Sequence, residues 1–212
     1  MTHQGGAGGR LHVIVDIGPH TDDGSELARA ALDGGAPVIQ VRVKGLTDRD
    51  RYDVTAPLVE LCAEHRALCI VNDRADVAVA AGAGGVHVGA DDLPVAAALR
   101  AVKPSMLVGS TARDAAMAMR LENEGVSYLG VGPVYRTSTK EGLPDPLGPV
   151  GLKTVCGAVF VPVIAIAGVR ADRVPELLAA GAYGVAVIGA VADAENPRRA
   201  TEELMTALER GG

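Results

Sequence analysis

Short runs of apolar residues, each of strand length, recur along the chain and are separated by longer amphipathic segments. The runs are rich in Val and Ile, and several are apolar at consecutive positions, as is typical of strands that are covered on both faces of a parallel sheet. The pattern predicts eight strands, at Leu11–Asp16, Val38–Val43, Leu68–Asn72, Gly85–Val88, Met106–Ser110, Tyr128–Gly132, Pro162–Ala167 and Gly184–Ile188.

The segments between these strands place apolar residues three or four positions apart, which predicts helices. Six are clear, at Ser25–Leu32, Arg51–His65, Leu93–Ala101, Asp114–Glu124, Val174–Ala180 and Pro197–Glu209, and two are shorter, at Ala75–Ala81 and Val150–Cys156. Eight strands alternating with helices in 212 residues suit a closed (β/α)₈ TIM barrel better than an open doubly wound sheet. We therefore predict one barrel domain over residues 10–212, after a Gly-rich, disordered tail at residues 1–9.

The composition favours a small-molecule partner. A net charge of −6, a single Phe and no Trp argue against binding to nucleic acid, which needs basic residues or aromatic stacking. The sequence has neither a membrane-spanning apolar run nor a signal peptide, so we expect a cytoplasmic enzyme without a membrane partner. The three cysteines form no C-x-x-C pair, which argues against zinc. The oligomeric state stays open, a homo-oligomer included.

Polar residues interrupt the second predicted strand on one face. Gln40, Arg42 and Lys44 alternate with two valines, so the valines are expected to face the helices and the polar residues the barrel mouth. Two cations inside a barrel are costly to bury without an anion. The pattern predicts either a site for an anionic ligand or internal ion pairs with Asp16 or Asp73.

Carboxylates follow the third and fourth predicted strands, at Asp73 and at the pair Asp91 and Asp92, and we expect one of that pair to lie close to Asp73. Two carboxylates beside a cationic trio are typical of a Mg²⁺ site that shares a phosphate ligand. Asp92 also precedes a Leu-Pro pair and could instead cap the next helix, and the sequence leaves both interpretations open. His87, within the fourth strand, is expected to be a core histidine.

Hydroxyl groups and cations follow the fifth and sixth strands. Thr111 could cap the next helix or contact a ligand. A dense set of donors that suits phosphate oxygens follows the sixth strand, at Arg136, Thr137, Ser138, Thr139 and Lys140. The Pro-rich segment Leu143–Pro149 is expected to be an irregular, mobile lid.

Glycines follow the last two strands, where this fold usually binds phosphate. Gly168 and Gly189 would let backbone N–H groups approach the ligand closely. With the threonines after the sixth strand they predict a second phosphate pocket. Two anion sites in one mouth predict two phosphorylated small-molecule substrates.

Five motifs, in order along the chain, resemble those of the thiamine-phosphate synthase family. They are Q-V-R-V-K at residues 40–44, N-D-R at 72–74, G-G-V-H-V-G-A-D-D-L-P at 84–94, G-P-V-Y-R-T-S-T-K at 132–140 and A-I-A-G-V at 165–169. The resemblance implies a TIM-barrel transferase of thiamine biosynthesis. Such an enzyme couples hydroxymethylpyrimidine diphosphate to hydroxyethylthiazole phosphate and releases diphosphate in a dissociative, Mg²⁺-assisted step.

The resemblance also implies a role for each matched residue. The diphosphate is assigned to Arg42, Lys44, Asn72 and Lys140, Mg²⁺ to Asp73 and Asp92, the pyrimidine to Gln40 and the region of Gly168, and the thiazole phosphate to Thr137, Thr139, Gly168, Ile188 and Gly189. The residues expected to act on the leaving group are Arg42, Thr111 and Lys140.

The chain departs from the family pattern at four positions. Val43 replaces Glu, Ala90 replaces Gln, Ala167 replaces Gly and Gly189 replaces Ser, and the changes at 90 and 189 remove side-chain hydrogen bonds near the ligands. Two other hypotheses stay open. One is a thiazole tautomerase-like isomerase, although residues 110–114 lack the His that such an enzyme would carry there. The other is a non-catalytic phosphate-binding barrel.

Overall fold

Eight parallel strands close into a barrel in the order of the sequence, and β8 pairs with β1. This is a computed structural model that describes residues 7–137, 142 and 144–211. The strands are β1 Leu11–Ile17, β2 Val38–Val43, β3 Leu68–Asn72, β4 Gly85–Val88, β5 Leu107–Ala112, β6 Tyr128–Val131, β7 Val163–Ile166 and β8 Gly184–Val187. The predicted TIM barrel is confirmed.

Helices follow the strands and form the outer layer. They are α1 Ser25–Asp33, α2 Asp48–Glu64, α3 Ala75–Ala81, α4 Val95–Ala101, α5 Ala115–Glu124, α6 Gly148–Cys156, α7 Val174–Ala179, α8 Gly189–Ala192 and α9 Pro197–Arg210, with a 3₁₀ turn at Ala171–Arg173. The described helices include none that is both long and apolar enough to cross a membrane.

The boundaries of the predicted helices differ from the structure by two residues or more at three places. Helix α2 begins before Arg51, because the Thr47 side chain accepts a hydrogen bond from the N–H of Asp50 and caps the helix there. Helix α4 begins at Val95, since Pro94 has extended dihedrals. Helix α6 begins at Gly148, so the irregular segment predicted at Leu143–Pro149 is too long; Leu143 itself lies outside the described residues.

The barrel has two apolar layers. Outward-facing strand residues pack against the helices in the main core, which includes Val41 and Val43 of β2 as predicted. A smaller cluster fills the barrel interior and includes Ile14, Ile70 and Tyr128. Some members of this inner cluster, including Ile14 and Tyr128, also line a cavity within the barrel.

The inner cluster also includes Ala7, which is buried beside the starts of β2 and β3. Its carbonyl oxygen lies 3.0 Å from Nε2 of His12. Residues 1–6 of the predicted tail lie outside the described residues, and the domain boundary at residue 10 stays a prediction.

Candidate active site

A cavity of about 680 Å³ opens at the carboxyl ends of the strands. Most residues that the sequence singled out line it, and they come from every part of the barrel. These residues are Gln40, Arg42, Lys44, Asn72, Asp73, Asp92, Thr111, Thr137, Gly168, Ile188 and Gly189. Thr139 and Lys140 lie outside the described residues.

The cations of β2 face the cavity and are paired with carboxylates. Nη1 of Arg42 lies 2.6 Å from Oδ2 of Asp16, and the ammonium group of Lys44 forms an ion pair with Asp73. The internal ion pairs, one of the two alternatives that the sequence left open, are therefore present, and the anion site stays a prediction. The carboxylates hold the cations in place at the cavity wall, where an anionic ligand can reach them.

A row of hydrogen bonds links β2 to β3 across the cavity wall. Nε2 of Gln40 donates to Oδ1 of Asn72 over 2.7 Å, and Nδ2 of Asn72 donates to Oδ1 of Asp73. The backbone N–H of Asp73 donates to the carbonyl of His87 over 2.7 Å, although Asp73 has a φ of 66°. Asp tolerates these left-handed dihedrals better than most residues. The row fixes the direction of each polar side chain before a ligand arrives.

Asp73 and Asp92 form a hydrogen-bonded carboxyl pair beside Lys44. Burial, followed by the hydrogen bond with Asp73, raises the pKa of Asp92 above its usual value. Burial alone would also raise the pKa of Asp73, but the hydrogen bond with Asp92 and the ammonium group of Lys44 bring it below its usual value. A positive charge shared between the oxygens of the two carboxyl groups therefore stabilises the pair, and either a proton or a metal cation can supply that charge.

The helix-cap interpretation of Asp92 is wrong. The N-cap position of α4 belongs to Pro94, and Oδ2 of Asp92 instead accepts a hydrogen bond of 2.8 Å from the N–H of Gly89. This bond turns the carboxyl group back towards Asp73. Among the described residues no group of three or more His, Cys, Asp or Glu side chains could hold a metal ion.

His87 and Thr111 lie below the carboxyl pair. His87 is a buried histidine, as expected, and burial lowers its pKa to about 4. Its Nε2 lies 3.0 Å from Oγ1 of Thr111, and its Nδ1 lies 3.1 Å from the hydroxyl of Tyr128. Asp114 caps α5 by accepting from the N–H of Met117, so Thr111 faces the cavity and does not cap the helix.

The turn after β7 brings backbone to the opposite side of the cavity. Gly168 has a φ of 66°, and a Cβ there would lie 2.6 Å from the carbonyl oxygen of Arg136, so no larger residue fits without movement. Nη1 of Arg173 donates to the Gly168 carbonyl over 2.5 Å and holds the turn. After β8, the short helix α8 begins at Gly189 and follows Ile188.

Three arginines that the sequence analysis did not single out also line the cavity, in addition to Arg136 after β6. They are Arg113, Arg170 and Arg173. The last two follow β7 directly, and the rule that functional residues follow barrel strands could have found them. The guanidinium group of Arg173 also lies 4.2 Å from the centre of the Tyr135 ring.

Ala167 has a φ of 75°, in a region that favours glycine, and the family pattern has Gly there. We expect Ala167→Gly to raise the free energy of unfolding by up to about 1 kcal/mol. Glycine removes the steric strain of a Cβ atom at this φ in the folded chain, and this gain outweighs the higher conformational entropy that glycine gives the unfolded chain. Urea denaturation measures the change. As a control, Ala180→Gly should lower stability by about 0.5–1 kcal/mol, because Ala180 has right-handed dihedrals. A loss of stability in Ala167→Gly equal to that of the control would contradict the prediction.

Comparison with known proteins agrees with the fold and with the family resemblance of the sequence. The family model described as thiamine monophosphate synthase matches residues 11–191. The chain is 51% identical over 203 residues to thiamine-phosphate synthase of Salinispora arenicola, covering 94% of this chain and 97% of the relative. It is 39% identical over 202 residues to that of Pyrococcus furiosus, covering 94% and 95%.

Solved structures give the same result. Thiamine phosphate pyrophosphorylase from Pyrococcus furiosus superposes with a TM-score of 0.85 at 36% sequence identity, covering 95% of this chain and 96% of that one. A 3-hexulose-6-phosphate synthase superposes with a TM-score of 0.74 at 22% identity, which shows the shared barrel fold alone. The matched motifs, the relatives and the barrel together show that this chain belongs to the thiamine-phosphate synthase family.

Proposed function

We propose that this chain couples hydroxymethylpyrimidine diphosphate to hydroxyethylthiazole phosphate and releases diphosphate. One observation carries the proposal: a single cavity has two separate sets of groups suited to anions. Arg42 and Lys44 stand on the side of β2 to β4, and the backbone at Gly168 and Gly189 stands on the side of β7 and β8. This arrangement suits two phosphorylated substrates that meet in the middle of the mouth.

Mg²⁺ fits the carboxyl pair. Mg²⁺ is commonly held by one or two carboxylates, with substrate phosphates and water as the other ligands. Asp73 and Asp92 provide two adjacent carboxyl groups in the cavity wall, next to the cations proposed to hold the diphosphate. When bound there, Mg²⁺ would supply positive charge that stabilises the departing diphosphate.

The residues of the chain would act by charge and by position. Arg42, Lys44 and Asn72 would hold the diphosphate, to which the family motif also assigns Lys140. Thr111 would donate a hydrogen bond to the leaving group. The bond from the pyrimidine methylene carbon to the diphosphate oxygen breaks, and its electron pair leaves on the oxygen. The thiazole nitrogen then forms the new carbon–nitrogen bond with its lone pair. Preorganised charge and alignment of the two substrates lower the barrier.

The isomerase hypothesis is not favoured. Residues 110–114, at the end of β5 and just after it, include Thr111 and no His, and the ring nitrogens of His87 contact the hydroxyls of Thr111 and Tyr128. A proton-transfer role at the substrate needs a ring nitrogen within reach of it. The non-catalytic hypothesis is not favoured either, since the cavity keeps both carboxyl groups and both cations of β2.

The coupling assay tests the proposal directly. The purified chain, with Mg²⁺ and both substrates, should form thiamine phosphate and release one diphosphate for each product formed. Omission of either substrate should stop product formation. A folded chain that forms no product with both substrates and Mg²⁺ would refute the proposal and favour a binding role.

Gly189 allows a test of the thiazole phosphate position. It is the first residue of α8 and has helical dihedrals that Ser can adopt. A restored hydroxyl would add one hydrogen bond to a charged group, worth about 1.5–3 kcal/mol, of which water already supplies a part. We expect Gly189→Ser to lower KM for the thiazole phosphate about tenfold and to leave KM for the pyrimidine diphosphate unchanged.

The control for this experiment is Gly157→Ser, at the end of α6, where φ is −72°. It should change neither KM. If Gly189→Ser folds normally and its KM for the thiazole phosphate stays the same or rises, that phosphate does not lie beside Gly189.

A further inference from the structure

A row of three hydrogen-bonded side chains leads from the cavity into the barrel interior. All three side chains line the cavity, and their exposed fraction falls from Thr111, which is half-buried, to His87 at 9% and Tyr128 at 1%. The two links measure 3.0 Å between Thr111 and His87 and 3.1 Å between His87 and Tyr128. The residues come from β5, β4 and β6, so closure of the barrel alone brings them together.

The protons in this row can be placed by accounting for donors and acceptors. His87 is buried and each of its ring nitrogens has one hydroxyl partner, so an uncharged ring has one N–H group and one acceptor nitrogen to distribute between the two hydroxyls. Burial also raises the pKa of Tyr128, which keeps its hydroxyl proton. Within the described part of the chain, the Tyr128 hydroxyl has Nδ1 of His87 as its hydrogen-bond partner. A proton on Nδ1 would leave the phenol O–H buried without an acceptor, which is costly.

We propose that Tyr128 donates to Nδ1 of His87, that His87 donates from Nε2 to Thr111, and that Thr111 thereby directs its own hydroxyl hydrogen at the diphosphate leaving group. The final contact rests on the proposed function. Tyr128 and His87 are positioning residues that act through Thr111. With its oxygen already accepting from His87, the Thr111 hydroxyl is oriented as a donor, which suits an anionic oxygen.

Packing holds the row in place. A Cβ at Gly109 would overlap the ring of Tyr128, so the ring lies directly against the backbone of β5. The ring of His12 contacts Tyr128 edge-on, with 5.2 Å between the ring centres. Because the phenol ring is confined on these sides, its hydroxyl stays at hydrogen-bond distance from His87.

The tautomer of His87 is the first test, and it is determined in the wild-type chain. Long-range ¹H–¹⁵N correlation spectra of the full chain labelled with ¹⁵N-histidine should show His87 neutral, with the proton on Nε2. The His87→Gln variant identifies which signals belong to this residue. A neutral His87 with its proton on Nδ1, or a charged His87 at neutral pH, would overturn the proposal.

A double-mutant cycle is the second test. Tyr128→Phe should lower kcat about tenfold with little change in KM, which is the size expected for one oriented hydrogen bond. In a Thr111→Val background the same change should cost less than about twofold, because the hydroxyl through which Tyr128 acts is gone. His87→Gln, whose amide can still donate to Thr111, should retain more activity than His87→Leu.

Tyr52→Phe, on the exposed surface of α2, is the control and should leave kcat unchanged. An equal loss from Tyr128→Phe in both backgrounds would show a merely structural effect and overturn the proposal. Full turnover in Thr111→Val alone would instead overturn the proposed contact of Thr111 with the leaving group. The spectra distinguish that failure, because they report on the row independently of activity.

Discussion

Replacing Asp73 or Asp92 with Asn is expected to lower turnover about a hundredfold or more while the barrel stays folded. The two carboxyl groups are adjacent in the cavity wall, and removal of either would halve the negative charge available to hold Mg²⁺. Without that ion the departing diphosphate loses its main counter-charge. Steady-state release of diphosphate, measured over a range of Mg²⁺ concentrations, provides the test.

The matched control is Asp53→Asn, which removes the same charge from an exposed position on α2. It should leave turnover and the dependence on Mg²⁺ unchanged. Undiminished turnover in either active-site variant, or full wild-type activity in excess EDTA, would rule out the metal site.

Acid is expected to destabilise the barrel strongly, because two histidines are buried in the neutral form. Burial, and for His12 also repulsion by His87, lowers the pKa of each to about 4, against 6.5 in the unfolded chain. Between these values the unfolded chain binds more protons than the folded one, so the free energy of unfolding falls as the pH falls. Each buried histidine contributes up to about 3 kcal/mol to the free energy of unfolding. This contribution is fully present above about pH 6.5 and is lost by about pH 4.

Urea denaturation at several pH values between 4 and 7 measures this loss. His12→Gln removes one titrating ring and keeps an amide that can donate to the Ala7 carbonyl, so it should flatten the dependence of stability on pH. His20→Gln, at an exposed position, should retain the wild-type dependence. Identical pH dependence in wild type and His12→Gln would contradict the burial of His12 as a neutral ring.

The polar face of β2 could be predicted from the sequence because a strand has a period of two residues. The alternation of Gln40, Arg42 and Lys44 with valines leaves one choice, since the apolar face must meet the helices. The sequence could not decide between an anion site and internal ion pairs. That choice depends on Asp16 and Asp73, which only strand pairing brings beside β2.

Features set by local backbone were harder to predict. Helix α8 is four residues long, too short to show a helical period. The role of Asp92 could not be assigned, because a residue before Leu-Pro can cap a helix or turn back to Gly89, and the dihedrals of Pro94 decide between them.

The partners of His87 lay beyond sequence analysis for a different reason. Tyr128 is 41 residues away and begins an apolar strand, which gives no sign of a hydrogen-bonding role. Burial of His87 followed from its position in a strand, but its two contacts depend on the closure of the barrel.

A crystal structure with thiamine phosphate, diphosphate and Mg²⁺ tests the central claim most directly, which is that two anion sites face each other across one cavity. We expect the diphosphate at Arg42 and Lys44, with Mg²⁺ bridging it to the Asp73 and Asp92 pair, and the phosphate of the product at the backbone of Gly168 and Gly189. Diphosphate bound at the turns after β7 and β8, or both anions on the side of β2, would contradict the account.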